Sequence, residues 1–355
     1  MVIQEFIKEL TLLSPHQIDK KLRLVGMYGL FKHAIDQSHG GNGDSFFDLI
    51  THHKDLGKST LDSSLLLSIN AHLWGAIFPI YYFGTIEQKS QYLNPLMDGK
   101  LIGGHAITEA QAGSNVALME MQADSIEHGF RLHGSKRYIT NAPISDILLI
   151  YAKTGDTISA FIIEKQDQGV YLHQDHRVTG FPNSAMGEIV LHDCKIAHNR
   201  LVGQMGTGQV IIQKVLELER AFIFAGISGI MEWQLEQVIR YTKSRQVGKQ
   251  VALYDLQATY HKIADISMKL KTVALWLHRC AELKDSDARI TLESSYTKLA
   301  CSEVFLQVSI DISHMLGAFG LEVNQPFSQW ILDGLASRIL SGTSEIQKNI
   351  ISALL

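Results

Sequence analysis

No proline interrupts the chain between Pro182 and Pro326. A proline inside a helix removes one hydrogen bond and clashes with the preceding turn, so this interval can hold several long helices. Amphipathic patterns of Ala, Leu, Lys and Glu fill it, as a helical bundle requires. Residues 1–100 carry helical periodicity in shorter pieces: at Leu10, Leu13 and Ile18, then, past a Gly-rich break at 39–43, over 61–74 and 86–96. Between these regions the pattern changes to short β-rich runs separated by turns, at 130–132, 137–140, 147–152, 158–163, 170–172 and 188–191. Runs of that length suit a small sandwich or barrel. The expected architecture is mainly α with a central β-domain: an N-terminal helical domain over 1–100, a middle β-domain over 101–203 and a C-terminal helical bundle over 204–355.

Composition narrows the class. Hydrophobic residues make up 46% of the 355, charged residues 19%, and proline only 6 positions, which excludes a disordered, collagen-like or disulfide-stapled chain. A net charge of -4 argues neither for nucleic acid nor for an anionic membrane. Three cysteines, Cys194, Cys280 and Cys301, form no CxxC and fit a reducing compartment. The opening residues, MVIQEFIKEL, lack the apolar core and cleavage site of a signal peptide, so the expected location is the cytoplasm. The uncharged run 63–86 is long enough to span a bilayer, yet it contains Ser68, Asn70, His72 and Pro79. It is read as a buried helix ending near Pro79, without membrane insertion.

Motif scanning returns mostly negatives. His52-His53 is the only adjacent histidine pair and no HExxH occurs, so no metal is expected. Gly203, Gly206 and Gly208 form GxxGxG, read as a helix-entry loop rather than a dinucleotide fingerprint. No GxSxG supports an acyl-transfer nucleophile.

One charge stands out. In the helical segment 215–226 the neighbours of Glu219 at three and four residues are Val215, Leu216, Phe222 and Ile223, which puts Glu219 on the apolar stripe. Glu217 neighbours Gln213, Lys214, Arg220 and Ala221 and is read as a solvated helix charge. A carboxylate among apolar groups suits a general base; the alternative is a buried Glu paired with an Arg or Lys to fix packing.

The string I-T-E-A-Q-A-G-S-N-V at 107–116 resembles the acyl-CoA dehydrogenase signature T-E-P-G-A-G-S-D. Further segments agree in order. G-S-K-R-Y-I-T-N at 134–141 resembles G-x-K-x-W-I-T-N, and Gly317 to Gly320 with Pro326 resembles the L-G-G-x-G loop and its sequel. S-G-T-S-E-I-Q at 341–347 resembles E-G-T-S-E-I-Q, and G-T-I-E-Q-K at 84–89 with Tyr92-Leu93 resembles the family's N-terminal helical region. The resemblance spans nearly the whole chain. It implies three domains with a C-terminal four-helix bundle, FAD at a subunit interface, and a homotetramer or homodimer. It also implies dehydrogenation of an acyl thioester: a base removes the α-proton while the β-hydrogen leaves as hydride to flavin N5.

The usual base position, just before G-T-S-E, holds Ser341, whose hydroxyl cannot take this proton. One branch of the family, with isovaleryl- and long-chain-type enzymes, carries its Glu on the bundle helix before an Arg, and Leu218-Glu219-Arg220 resembles that arrangement. The resemblance thus assigns Glu219 as the catalytic base and Ser114, Arg220 and Ser341 to the substrate, Ser341 through its backbone N–H. For the flavin it assigns Thr108 and Thr140 to the isoalloxazine, Tyr138 to the aromatic lining and Ser114 to the phosphate region. Arg245, Gln257, His314, Gly317, Ala318, Thr343 and Glu345 fall at dinucleotide contacts, some reaching a neighbouring subunit. Departures occur at Ala110-Gln111, Asn115, His314 (where the family usually has Gln) and Leu332, and the loop after Arg245 is one residue short.

Acyl or aminoacyl groups tethered to carrier proteins share the phosphopantetheine arm of CoA, and the same Ser341 and bundle-helix Glu pattern occurs among dehydrogenases that act on them. The substrate is therefore expected to be an acyl thioester on CoA or on a carrier protein, with a short or branched acyl group slightly favoured. The electron acceptor that the resemblance implies is an electron-transfer flavoprotein or oxygen. Two other readings are a flavin monooxygenase or oxidase on the same fold and a noncatalytic binding homologue.

Overall fold

A computed structural model of the chain describes residues 2–174 and 178–355. Residue contacts divide it into two units, one of residues 1–45, 64–178 and 182–219, the other of residues 46–63, 179–181 and 220–355.

In the first unit the helices are α1 (Val2–Leu12) and α2 (Ile18–Met27), then α4 (Ser63–His72) from Ser64 onward, α5 (Phe78–Phe83), α6 (Ile86–Gln88) and α7 (Asn94–Met97). The intervening α3 (Phe46–Thr60) belongs to the second unit. The helix expected to end near Pro79 continues to Phe83. A wide π turn at Leu73–Ile77 precedes Pro79, which falls in the first turn of α5, where a missing N–H costs little. The 86–96 run is broken in the same way, by a π turn at Lys89–Leu93. The polar groups of the buried run are satisfied internally. Asn70 donates to Leu66 O at 2.7 Å and accepts from Trp74 Nε1 at 2.8 Å, and Ser68 Oγ donates to Ser184 O at 3.2 Å. The His72 ring accepts from Gly103 N–H at 2.9 Å through Nδ1, which leaves Nε2–H to donate to Leu96 O at 3.0 Å.

Eight strands form the sheet: β1 (Gly103–Ala106), β2 (Gln122–Ile126), β3 (Gly129–Thr140), β4 (Ile147–Thr154), β5 (Thr157–Glu164), β6 (Val170–His173), β7 (Met186–Ala197) and β8 (Leu201–Val202). Their order is β6-β7-β3-β2-β4-β5-β8, with β1 parallel to β4. A single pairing, Gln122 with Lys153, links β2 to β4, so the sheet folds over into two layers. Phe130 of β3 meets Phe161 of β5 across them, centroids 5.0 Å apart, and Leu132, Leu148, Ile150, Ile163, Ile189 and Leu191 fill the same core. The runs 130–132 and 137–140 are one strand, bent at Gly134 and Tyr138 where its register with β7 shifts. β1, β2 and β8 carried too little alternation to be read beforehand.

GxxGxG leads from β8 into α8 (Gly208–Phe222), which contributes to the first unit as far as Glu219 and to the second from Arg220. The second unit continues with α9 (Ala225–Ser244), the β9 (Gln246–Gly248) and β10 (Val251–Ala252) hairpin, α10 (Gln257–Asp285), α11 (Thr291–Leu316), α12 (Phe327–Ser337) and α13 (Ser344–Leu354). α9, α10 and α11 pack together, α3 joins them against α9 and α10, and α12 and α13 lie on α11.

Candidate functional site

Glu219 lies near the end of α8, 9% exposed, and its Oε2 stands 3.5 Å from Nε2 of His105 on β1. Glu217, read from sequence as solvated, is 6% exposed. From Val215 to Phe222 every residue of α8 is buried or half-buried, so this part of the helix has no solvated face and a local polar neighbourhood did not predict one.

A second cluster gathers on the sheet. Thr108 follows β1 in a loop whose carbonyl oxygen accepts from Arg137 N–H at 2.9 Å, which brings Thr108 beside the end of β3 where Tyr138 and Thr140 stand. The loop is held by a buried ion pair. Lys136 Nζ donates to Glu109 Oε1 at 2.7 Å and to Ile107 O at 3.0 Å, and the same carboxylate accepts from Glu120 and Met121 N–H at 2.6 and 3.1 Å. Burial pulls the Lys136 ammonium down to about 8, with Glu109 opposing the shift. Tyr138 sits at φ 57, a costly conformation for an aromatic residue, and it is exposed, with the Arg137 guanidinium 5.5 Å from its ring centroid. Thr108 and Thr140 are half-buried, and Arg137 Nε is buried without a hydrogen-bond partner among the described residues. An exposed aromatic residue, two hydroxyls and the Arg137 donor suit the face and polar edge of a flavin ring. Ser114 is exposed in the loop that follows Thr108.

The second unit places its residues in two groups. Ser341 adopts φ 56, and its carbonyl accepts from Arg220 Nε at 3.1 Å and Gln347 Nε2 at 3.3 Å. Thr343 caps α13 through Ile346 N–H at 3.3 Å, and Glu345 is exposed in its first turn. Lys298 donates to Arg338 O at 3.1 Å beneath this turn; burial first, then the Arg220 charge, lowers its ammonium to about 8. The other group is exposed: Arg245 at the end of α9, Gln257 opening α10, His314 in the last turn of α11, and Gly317 and Ala318 beyond it. Tyr241 stacks on Phe319, centroids 5.6 Å apart, which ties the end of α9 to the loop carrying Gly317 and Ala318. His105, Arg137 and Tyr151 were not among the expected site residues. The only local signal for His105 was its place three residues before Thr108.

Sequence profiles of the acyl-CoA dehydrogenase N-terminal, middle and C-terminal domains match residues 7–100, 104–194 and 206–355. An L-prolyl-(peptidyl-carrier protein) dehydrogenase from a Serratia species is 33% identical over 92% of this chain and 85% of its own length. Among solved structures, the prolyl acyl carrier protein oxidase AnaB superposes with a TM-score of 0.93 at 30% identity, covering 99% of this chain and 98% of its own. The FAD complex of PigA superposes with a TM-score of 0.91 at 31% identity over 95% and 89%. The chain belongs to the acyl-CoA dehydrogenase family, as an FAD-dependent oxidoreductase that dehydrogenates thioesters carried on CoA or a carrier protein.

Proposed function

We propose that the protein dehydrogenates an L-prolyl or similar aminoacyl thioester on a carrier protein, with Glu219 as the base. The observation that carries the base is the enclosure of Glu219 on α8 beside His105. The substrate class rests on the carrier-protein prolyl substrates named for the Serratia relative and AnaB. The prolyl reading narrows the acyl or aminoacyl thioester expected from sequence and is preferred here to the short or branched acyl group slightly favoured there.

Bound FAD supplies the hydride acceptor. Thr108, Tyr138, Thr140 and Arg137 would hold its ring, and Ser114, Arg245, Gln257, His314, Gly317, Ala318, Thr343 and Glu345 are proposed for its dinucleotide arm. Glu219 takes the α-proton. That proton is too weakly acidic for an unaided carboxylate, so the thioester oxygen needs hydrogen-bond donors as charge develops. We assign one to the Ser341 N–H, in a peptide whose carbonyl Arg220 and Gln347 hold. The exposure of Arg245, Gln257, His314, Gly317 and Ala318 supports a homotetramer or homodimer in which these residues reach a second copy's FAD. The oxidase name of AnaB supports oxygen as the final acceptor, and slow reoxidation in air would point to an electron-transfer flavoprotein instead. Three buried cysteines and the lack of any CxxC in the sequence support the cytoplasm.

The test is anaerobic mixing of the holoenzyme with L-prolyl-S-pantetheine or isovaleryl-CoA while flavin absorbance is followed. Wild type bleaches with the prolyl thioester, and Glu219→Gln slows by about 10²-fold or more. Equal bleaching rates in the two proteins would refute the base.

A further inference from the structure

We propose that His105 is a positioning residue for Glu219: its Nε2–H faces Oε2 and fixes the carboxylate in the orientation from which it takes the α-proton. The inference rests on Glu219 being the base. It comes from the back of the β-domain, where β1 lies parallel to β4 with His105 opposite Leu149. Ala106, Leu148, Ile150 and Ala152 point into the sheet core, so His105, Leu149 and Tyr151 share the other face. His105 meets Glu219 there, with side chains only 16% and 11% exposed.

The placement of the imidazole is built into the fold. A Cβ on Gly75, in the π turn, would lie 2.8 Å from His105 N and 3.1 Å from its Cγ, so the helix can press this close only with glycine at that position. Nδ1 of His105 is buried without a hydrogen-bond partner among the described residues. In a neutral ring one nitrogen carries the proton. Placing it on Nε2 turns a donor to the carboxylate and leaves a bare lone pair at Nδ1; the opposite tautomer would set a lone pair against a carboxylate oxygen and leave an N–H unmet. The 3.5 Å separation is longer than a formed hydrogen bond, as catalytic contacts often are before substrate binds. Tyr151 completes the wall. Its hydroxyl is fully buried without a hydrogen-bond partner among the described residues, and burial, then the charge of Glu219, raises its pKa, so it stays a neutral neighbour.

A positioning role makes an ordered set of predictions for the flavin-loaded enzyme, mixed anaerobically with L-prolyl-S-pantetheine, and with isovaleryl-CoA in parallel. His105→Asn, whose amide is too short to reach Oε2, lowers the limiting rate of flavin reduction by about 10- to 100-fold. The thioester concentration giving half that rate stays within about twofold, because ground-state binding is untouched. His105→Gln returns a donor near the Nε2 position and recovers most of the rate. With α-deuterated thioester the isotope effect on reduction grows in the Asn variant, which a merely loosened fold would not produce. A His105→Asn limiting rate equal to wild type overturns the inference, and so does a Gln variant no faster than Asn. Glu219→Gln, run alongside, separates the two failures. If it is slow while His105→Asn is not, only the positioning role falls; if it bleaches as fast as wild type, the base itself is wrong.

Discussion

Single residues set both the chemistry and its limits. His72 is the clearest case on the stability side: the wholly buried ring bridges Leu96 and Gly103, and burial pushes its pKa down to about 4. The folded protein therefore refuses a proton that the unfolded chain accepts below about 6.5. The stabilisation is complete above that value and is lost as pH falls towards 4. Urea unfolding from about pH 7 to about pH 5 should cost wild type about 2 kcal/mol more than His72→Gln, which has no proton to take up. An identical pH dependence in the two proteins would show that His72 is not the group responsible. At the site, Glu219 was legible because its neighbours at helical spacing are apolar, whereas Glu217 was misread because three- and four-residue spacing says nothing about what packs over a helix from elsewhere.

Elements meet where small residues allow it. α3 and α9 cross so closely that a Cβ on Gly57 would stand 1.9 Å from Gly226 O, and one on Gly229 would stand 2.0 Å from Lys54 O. Both obstacles are backbone, which cannot rotate away. Gly57→Ala should therefore destabilise by about 1–3 kcal/mol, even though alanine favours an isolated helix by about 1 kcal/mol. Thermal unfolding of the variant checks this; an unchanged or raised midpoint would mean the helices can separate at no cost. The same scale explains the two π turns. A wider turn before Pro79 lets the helix run on to Phe83, where a proline read from sequence alone marks an end. Tyr138 is set by its element too, since the bend in β3 that shifts its register also holds it at φ 57 and leaves its ring exposed.

For the whole molecule, the cofactor is the test that reaches every assignment at once. Ligand that binds only the folded state stabilises by mass action, so flavin-stripped protein supplied with FAD at about 100 times its Kd should gain about 2.7 kcal/mol. Calorimetry of the stripped and reloaded protein reads this, and no change in the unfolding midpoint would remove the flavin cluster of Thr108, Tyr138 and Thr140 from consideration.

Features that depend on near neighbours and on ordered motifs were legible without any structure. The proline-free stretch announced the helices from α8 to α11, alternation announced β4, β5 and the ends of β3, and the string of family segments carried the flavin and the thioester. Helical spacing alone put Glu219 on an apolar stripe. Tertiary structure decided the rest: that α3 packs with the C-terminal helices, that Glu109 and Lys136 pair in the interior, and that His105 faces Glu219. Local periodicity follows from the geometry of one helix or one strand, which a short window of residues contains. The approach of side chains that lie on different elements, from 27 to more than a hundred positions apart, follows only from how whole elements fill space against each other, and no short window of sequence holds that.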